Sequence, residues 1–271
     1  MENYSVLMSV YYKESPQFLK EAMMSIWNQT YKTNDFILVC DGPLTDDLDI
    51  VINEMQQKFG SILHVQRLKT NSGLGNALNE GLELCKNELV ARMDSDDVSR
   101  LDRCEKQVKM LENNKAISFC SGTISEFNVA PSIPIGKRSV PLHDKEIRQF
   151  SKKRNPMNHP CTMFKKSAVM AVGGYDETYH LFEDYYLWVR LLKNGYKAEN
   201  TADILLDMRT PLDIYQRRGG KDYAIEMLRF HRWLLSIKWS RRIDFLTGAV
   251  PHAIVCVLPN RLRKIVYQKL H

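Results

Sequence analysis

The chain has no Cys-x-x-Cys pair, and none of its histidines stands at zinc-site spacing from a cysteine. Its six cysteines, Cys40, Cys85, Cys104, Cys120, Cys161 and Cys256, are scattered over 271 residues. That pattern excludes a disulfide framework and suits buried thiols in a reducing compartment. Long apolar runs are missing too. The most apolar stretch, Phe245 to Leu258, has 14 residues and contains Pro251 and His252, whereas a bilayer span needs about 20. Met1-Glu2-Asn3-Tyr4 is acidic and lacks the basic and apolar regions of a signal peptide, so the expected location is the cytoplasm. There is no P-loop lysine motif, internal repeat or low-complexity tract. Gly73-Leu74-Gly75-Asn76-Ala77-Leu78 imitates a dinucleotide fingerprint but lacks its third glycine and follows the third strand, not the first. A Rossmann cofactor site is therefore excluded.

What is present is ordinary for a globular protein: 44% hydrophobic residues, 26% charged and a net charge of +6. The charge is unevenly spread. Residues 217–271 hold twelve Lys and Arg against three acids, while residues 1–216 hold 26 against 29. A mildly acidic body thus carries a basic tail, which points to an anionic partner such as lipid headgroups or a phosphorylated substrate. The tail has no aromatic interleaving at a recognisable motif, so no nucleic acid is expected. Its end, residues 261–270, mixes Leu262, Ile265 and Val266 with Arg261, Arg263, Lys264 and Lys269, as in a helix lying on a membrane surface.

Strands and helices alternate over the first hundred residues. Ser5–Val10, Phe36–Cys40, Ile62–Leu68 and Leu89–Met93 read as strands. Between them, Phe18, Leu19, Ala22, Met23, Ile26 and Trp27 repeat at helical spacing, as do two later sets. This is the α/β plan: a mostly parallel sheet with helices on both faces, its ligands beyond the carboxyl ends of the strands. Residues 128–160 read as loops with short elements, and helices are expected over 166–172, 183–193 and 222–237.

The expected strand ends carry acids. Asp94-Ser95-Asp96-Asp97 places three carboxylates within four residues. They repel one another unless a cation is shared, and hard oxygen ligands suit Mg²⁺ or Mn²⁺. The plainer reading is a helix start capped by Asp97 or Ser99. Asp41-Gly42-Pro43 is either a turn or the acceptor for a ligand ring N–H. Glu183-Asp184 at a helix start is either favourable dipole pairing or a general base held at a fixed terminus. His159 is a candidate metal or phosphate contact. Arg217-Arg218 would suit a diphosphate, because a guanidinium pairs bidentately with phosphate oxygens.

Six stretches, in order, resemble family-2 glycosyltransferases of the GT-A fold: SVLMSVYYKESPQFLKEAMMSIWNQTY, FILVCDGPLTD, NSGLGNALNEGL, ELVARMDSDDVSRLDR, NHPCTMFKKSAVMAVGGYDE and FEDYYLWVRL. They are most similar to bacterial exopolysaccharide, capsule and O-antigen enzymes, including the amylovoran type. The resemblance implies a GT-A catalytic domain over residues 1–216, its nucleotide-sugar half about 1–100 and its acceptor half about 101–216, followed by a basic amphipathic helical segment over 217–271. It implies that Asp41 meets the nucleotide base, that Asp94 lies near the ribose and that Asp96 binds the metal. Asp184 would be the catalytic base, with Glu183 orienting it or the acceptor. Tyr11 and Glu14 would line the nucleotide pocket. His159 would join the metal or phosphate region, and Arg217 and Arg218 the diphosphate or acceptor.

The activity so implied moves one sugar, with inversion, from a nucleotide sugar (a UDP-sugar foremost) to an undecaprenyl-diphosphate-linked saccharide. The enzyme would sit peripherally on the inner face of the cell membrane. Two departures from the family pattern matter. Cys40-Asp41 replaces paired acids before the glycine, and the Gln-x-x-Arg-Trp motif of processive synthases is incomplete at Gln216-Arg217-Arg218-Gly219. A single addition is therefore expected. The competing expectations are a sugar nucleotidyltransferase, against which Tyr11–Pro16 stands in place of a Gly-rich, Arg-containing loop, and a binding relative that has lost turnover.

Overall fold

A computed structural model describes residues 1–179, 181–210 and 219–259. Four strands, β1 (Tyr4–Val10), β2 (Asp35–Cys40), β3 (Leu63–Arg67) and β4 (Leu89–Met93), pair in parallel. β2 and β4 are buried along their whole length, which is why they read as mainly apolar runs, Asp35 and Arg92 apart, and not as alternating ones. The helices between them are α1 (Pro16–Trp27), α2 (Asp46–Phe59) and α3 (Leu74–Leu84). Thr45 caps α2 by accepting from Leu48 N, and three aspartates occupy its first turn.

The sheet order is β3-β2-β1-β4-β8-β6-β9-β5, with β7 beside β6. The chain proceeds from β1 outward to β3, then returns to place β4 on the other side of β1. That reversal is a topological switch point, and it opens a crevice at the carboxyl ends of β1 and β4. The second half of the sheet comes from β5 (Val98–Ser99), β6 (Ile117–Phe127), β7 (Pro134–Arg138), β8 (Met163–Lys165) and β9 (Lys197–Arg209). β8 joins β4 antiparallel and leads to β6, whose parallel pairing with β9 is the longest in the molecule. The sequence pattern did not mark β6 or β9. Buried Ser118, Ser121, Thr123 and Ser125 interrupt the apolar run of β6, and β9 holds three acids, Glu199, Asp203 and Asp207, with the turn-favouring Asn200 inside the strand.

Helices cover both faces. α1, α2 and α4 (Arg103–Asn113) enclose one core with Met8, Phe36 and Met93. α3, α5 (Asp144–Phe150), α6 (Lys166–Ala171) and α7 (Glu183–Lys193) enclose the other, centred on Trp188, whose ring stacks on Phe119 at 5.5 Å. The expected capping of a helix by Asp97 or Ser99 is corrected. Val98–Ser99 instead pairs with β9, and α4 starts later, at Arg103.

After residue 218, α8 (Lys221–Ser236) packs on α7 through Phe182, Tyr185, Val189, Met227, Phe230 and Leu234. α9 (Arg242–Asp244) then runs through a π-helical turn (Phe245–Ala249) into α10 (Val250–Val257). Among the described residues, no helix is long and apolar enough to cross a membrane. The helix expected over 261–270 lies outside the described residues, as do Arg217 and Arg218.

Trp188 joins the sheet to α7 and is fully buried. Trp188→Ala should therefore lower unfolding free energy by about 3–5 kcal/mol in a urea titration. A loss under about 1 kcal/mol would mean that this core does not hold α7.

Candidate active site

Alternation along β4 puts Val90, Arg92 and Asp94 on the face covered by α3 and α7. Arg92 is 1% exposed and its Nη2 donates to Asp94 Oδ1, while Nε and Nη1 have no hydrogen-bond partner among the described residues. Arg103 Nη2 donates to the Arg92 carbonyl at 2.6 Å, which fixes the backbone beneath the acidic loop. Neither arginine was singled out from sequence. The only signal was a basic residue inside an otherwise apolar strand.

The carboxylates of Asp94, Asp96 and Asp97 come together, with ligand oxygens within 4.8 Å of one another. Asp97 is buried; its Oδ1 accepts from Arg209 N at 2.8 Å and its Oδ2 has no hydrogen-bond partner among the described residues. Burial, then the charges of Asp94 and Glu14, raises the Asp96 carboxyl to about 7. Burial and the charges of Asp96 and Asp94 push Asp97 well above the usual range. A partnerless buried oxygen among mutually repelling hard donors fits a divalent cation such as Mg²⁺ or Mn²⁺. Arg209, at the end of β9, secures this loop. Its Nε donates to the Asp96 carbonyl at 3.0 Å, its Nη2 to Glu21 Oε2 at 2.6 Å, and its guanidinium lies 3.7 Å over the Phe18 ring.

Glu14 arrives from the loop after β1. It accepts from Ser95 Oγ at 2.7 Å and from Ser15 N at 2.8 Å, so it borders the acidic loop. Tyr11 and its neighbour Tyr12 stay exposed, edge to face at 5.8 Å. Asp41 is buried and already engaged. It accepts from Ser72 N at 2.7 Å, Ser72 Oγ at 3.2 Å and Gly73 N at 3.1 Å. Its visible part is to lock the loop after β3 against the end of β2, where Gly42 at φ +86° leaves no room for a Cβ beside Asn71 N. Glu177 accepts from Gly75 N at 3.2 Å at the start of α3, so a carboxylate stands where a dinucleotide fingerprint would hold a phosphate.

Across the crevice, Glu183 and Asp184 form the first turn of α7. Asp184 Oδ2 accepts from Asn155 Nδ2 at 2.6 Å and its Oδ1 from Tyr185 N at 2.6 Å, a geometry that fixes one carboxylate orientation. Between the two acidic rims lies a buried floor of Arg92, Tyr175 and His159. The Arg92 charge is felt by both Asp94 and Asp184, and Tyr175 senses Arg92, Asp184, Asp94 and Glu183. His159 is corrected as a metal candidate. It stands outside the Asp94–Asp96–Asp97 group, shares a 3.0 Å hydrogen bond with Tyr175 Oη, and meets the Trp188 ring edge to face. Burial, then the Arg92 charge, holds it well below its usual range.

The arrangement can hold a metal-bound anion at the β4 rim and accept a proton at Asp184. Comparison with known proteins identifies the family and the fold. The profile of glycosyl transferase family 2 matches residues 5–173. The chain is 36% identical over 267 residues to UDP-Gal:alpha-D-GlcNAc-diphosphoundecaprenol beta-1,3-galactosyltransferase of Escherichia coli, covering 98% of this chain and 96% of that one. It is 32% identical over 267 residues to the amylovoran biosynthesis glycosyltransferase AmsE of Erwinia amylovora, covering 98% of each. Among solved structures, it resembles the mannosyltransferase PcManGT of Pyrobaculum calidifontis in complex with GDP-Man and Mn²⁺, with a TM-score of 0.65, 17% identity, and coverage of 99% and 80%. S. aureus TarS 1-349 in complex with UDP-GlcNAc gives a TM-score of 0.62 at 17% identity, covering 83% of this chain and 66% of that one.

A carboxyl raised in the folded state binds protons more tightly there than in the unfolded chain, so its contribution to stability falls as pH rises from about 4 to about 7. Asp96→Asn removes that penalty. Without metal, the variant should match wild type near pH 4 and melt higher at pH 8; Mn²⁺ should raise the wild-type melting temperature and leave the variant's unchanged. Equal melting of both proteins across this range would contradict the buried, mutually repelled carboxylate.

Proposed function

The chain belongs to glycosyl transferase family 2 and has the GT-A fold, and from that premise we propose that it adds one sugar from a UDP-sugar, with inversion, to a saccharide carried on undecaprenyl diphosphate. The observation that carries this reading is the pairing of two unlike acidic rims across one crevice. One is a cluster of three carboxylates suited to a cation. The other is a single oriented carboxylate at a helix start.

Asp96, with Asp94 and Asp97, would hold Mn²⁺ or Mg²⁺, which stabilises negative charge on a departing diphosphate. Asp94 is assigned to the ribose side of the nucleotide, with Tyr11 and Glu14 lining the pocket and Asp41 shaping its wall or meeting the base. Asp184 takes the proton of the acceptor hydroxyl as that oxygen attacks the anomeric carbon. The bond from that carbon to the β-phosphate oxygen breaks, and its electron pair leaves with the nucleoside diphosphate. Glu183 orients Asp184 or the acceptor. A single base opposite the leaving group gives inversion and needs no carboxylate nucleophile.

The reading extends to a membrane surface. Ile243, Leu246, Ile254 and Val257 are exposed along α9, the π-helical turn and α10, at spacings that place them on one side. The neighbouring Lys238, Arg241 and Arg242 supply positive charge, worth about 1 kcal/mol each beside an anionic surface. The segment 217–271 would thus keep the enzyme on the inner face of the cell membrane, beside its lipid-linked acceptor. The full chain should sediment with vesicles containing phosphatidylglycerol, and Leu246→Glu/Ile254→Glu should abolish this; undiminished sedimentation of the variant would remove the segment from membrane binding.

Calorimetry with UDP, GDP, CDP and dTDP in Mn²⁺ tests the donor site. UDP should bind most tightly, and Asp96→Ala should lose that binding, whereas Asp184→Asn should keep it while lowering kcat by about 10²- to 10⁴-fold. No nucleotide binding under any condition would favour a relative that has lost turnover.

A further inference from the structure

The chain from α5 to Asn155 runs back along α7, an 11-residue helix about 16 Å long. Arg148 donates to the Leu192 and Tyr196 carbonyls at 2.7 Å, at the far end of α7. Tyr185 Oη donates to the Ser151 carbonyl at 2.7 Å, and Asn155 reaches Asp184 at the near end. These contacts occupy the inner side of the segment. Its outer side, with Lys145, Glu146, Gln149, Phe150, Lys153 and Arg154, lines an open cavity of about 790 Å³. Three cations face one acid there, and the reaction described above uses none of them.

The place of this basic cavity is specific. Arg154 immediately precedes Asn155, whose amide holds the proposed catalytic base. On the other side, Lys153 packs its stem against Gly248, where an added Cβ would come within 3.1 Å of Lys153 Cβ. Its Nζ lies 3.6 Å from Asp244 Oδ1, at the start of the same turn. Lys153 and Arg154 on the rim of this cavity thus link, along the chain, the Asn155–Asp184 contact to the helical segment that exposes Leu246, Ile254 and Val257. A molecule reaching from one to the other would present a hydroxyl at Asp184, an anion at the lysines and arginine, and an apolar chain along the turn. The proposed reaction puts the donor's diphosphate at the Asp94–Asp97 rim, so an anion held at this second, basic place would be the acceptor's.

Resting on the transfer reaction proposed above, we infer that Lys145, Lys153 and Arg154 form the binding site for the acceptor's diphosphate, with the lipid leaving over Leu246 and Ile254. Lysine and arginine suit this anion because each phosphate oxygen takes several charge-assisted hydrogen bonds. Gln149 adds a neutral donor. The site also explains how an enzyme would select a lipid-diphosphate sugar over the same sugar in another linkage: the recognised group is the bridge and not the ring.

The probe is N-acetylglucosamine α-linked through a diphosphate to a short alkyl chain, offered without vesicles to the full chain already saturated with UDP and Mn²⁺. The same sugar as a neutral alkyl glycoside serves as its control. Lys153→Gln/Arg154→Gln should bind the diphosphate probe at least about tenfold more weakly than wild type. It should bind UDP equally well, and Lys153→Arg should retain probe binding. Equal probe binding by wild type and the double variant would overturn the site, as would wild-type binding no tighter than that of the neutral glycoside. A double variant that keeps probe affinity but no longer sediments with anionic vesicles would overturn it too, and would assign the cations to membrane headgroups. Turnover is read separately: if wild type binds the probe through these residues yet transfers no sugar to it, the fault lies with the proposed reaction and the diphosphate site stands.

Discussion

A guanidinium sealed inside the protein at the end of β4 is the constraint on which the site depends. Burying a charge is costly unless it is paired, and Arg92 is paired with Asp94, the first residue beyond its own strand. That pair ties the start of the acidic loop to the buried end of β4 and leaves the Asp94 side chain partly open to solvent. The same charge reaches Asp184 on α7, so one cation serves two rims that would otherwise repel each other. Its carbonyl is held by Arg103, itself buried at the start of α4. Arg209 closes the loop from above. Three arginines from β4, α4 and β9 thus position an acidic site whose own carboxylates supply no cohesion.

The two halves of the sheet make different contributions. The parallel half provides the switch point between β1 and β4, and with it a crevice bordered by Glu14 and the aspartate loop. The second half, joined through β8, brings β9 and Arg209 to the same loop. α7 crosses from this half and is braced on both sides: Trp188 anchors it to the sheet, and the aromatic cluster of Phe182, Tyr185 and Phe230 ties it to α8. A carboxylate at the start of so supported a helix keeps one orientation, as a base acting on a bound hydroxyl requires.

Much of this was legible in sequence where local patterns coincide with tertiary roles. The four parallel strands were each visible as short, largely apolar or alternating segments, and the boundaries of β4 and α7 were read to the residue. The acidic loop was visible because three like charges in four residues demand an explanation. Other parts were not legible, because their meaning is non-local. The strands β6 and β9 carry polar residues that only their mutual pairing and the buried network around Asn158 and Asn200 accommodate. Arg92 looks like a flaw in a strand until Asp94 and Asp184 are placed around it. Asn155 is unremarkable until α5 runs back along α7. His159 sits in a motif that suggests ligation, yet Tyr175 and Trp188 claim its ring.

The most direct test of the account is the configuration of the product. The protein would be incubated with Mn²⁺, an α-linked UDP-hexose and N-acetylglucosamine diphosphate on a short alkyl chain, and the new anomeric coupling read by proton NMR. One base facing the leaving group predicts a single added hexose in β linkage. An α linkage would contradict the proposed displacement, and no product from any UDP-hexose would contradict the assignment of donor and acceptor.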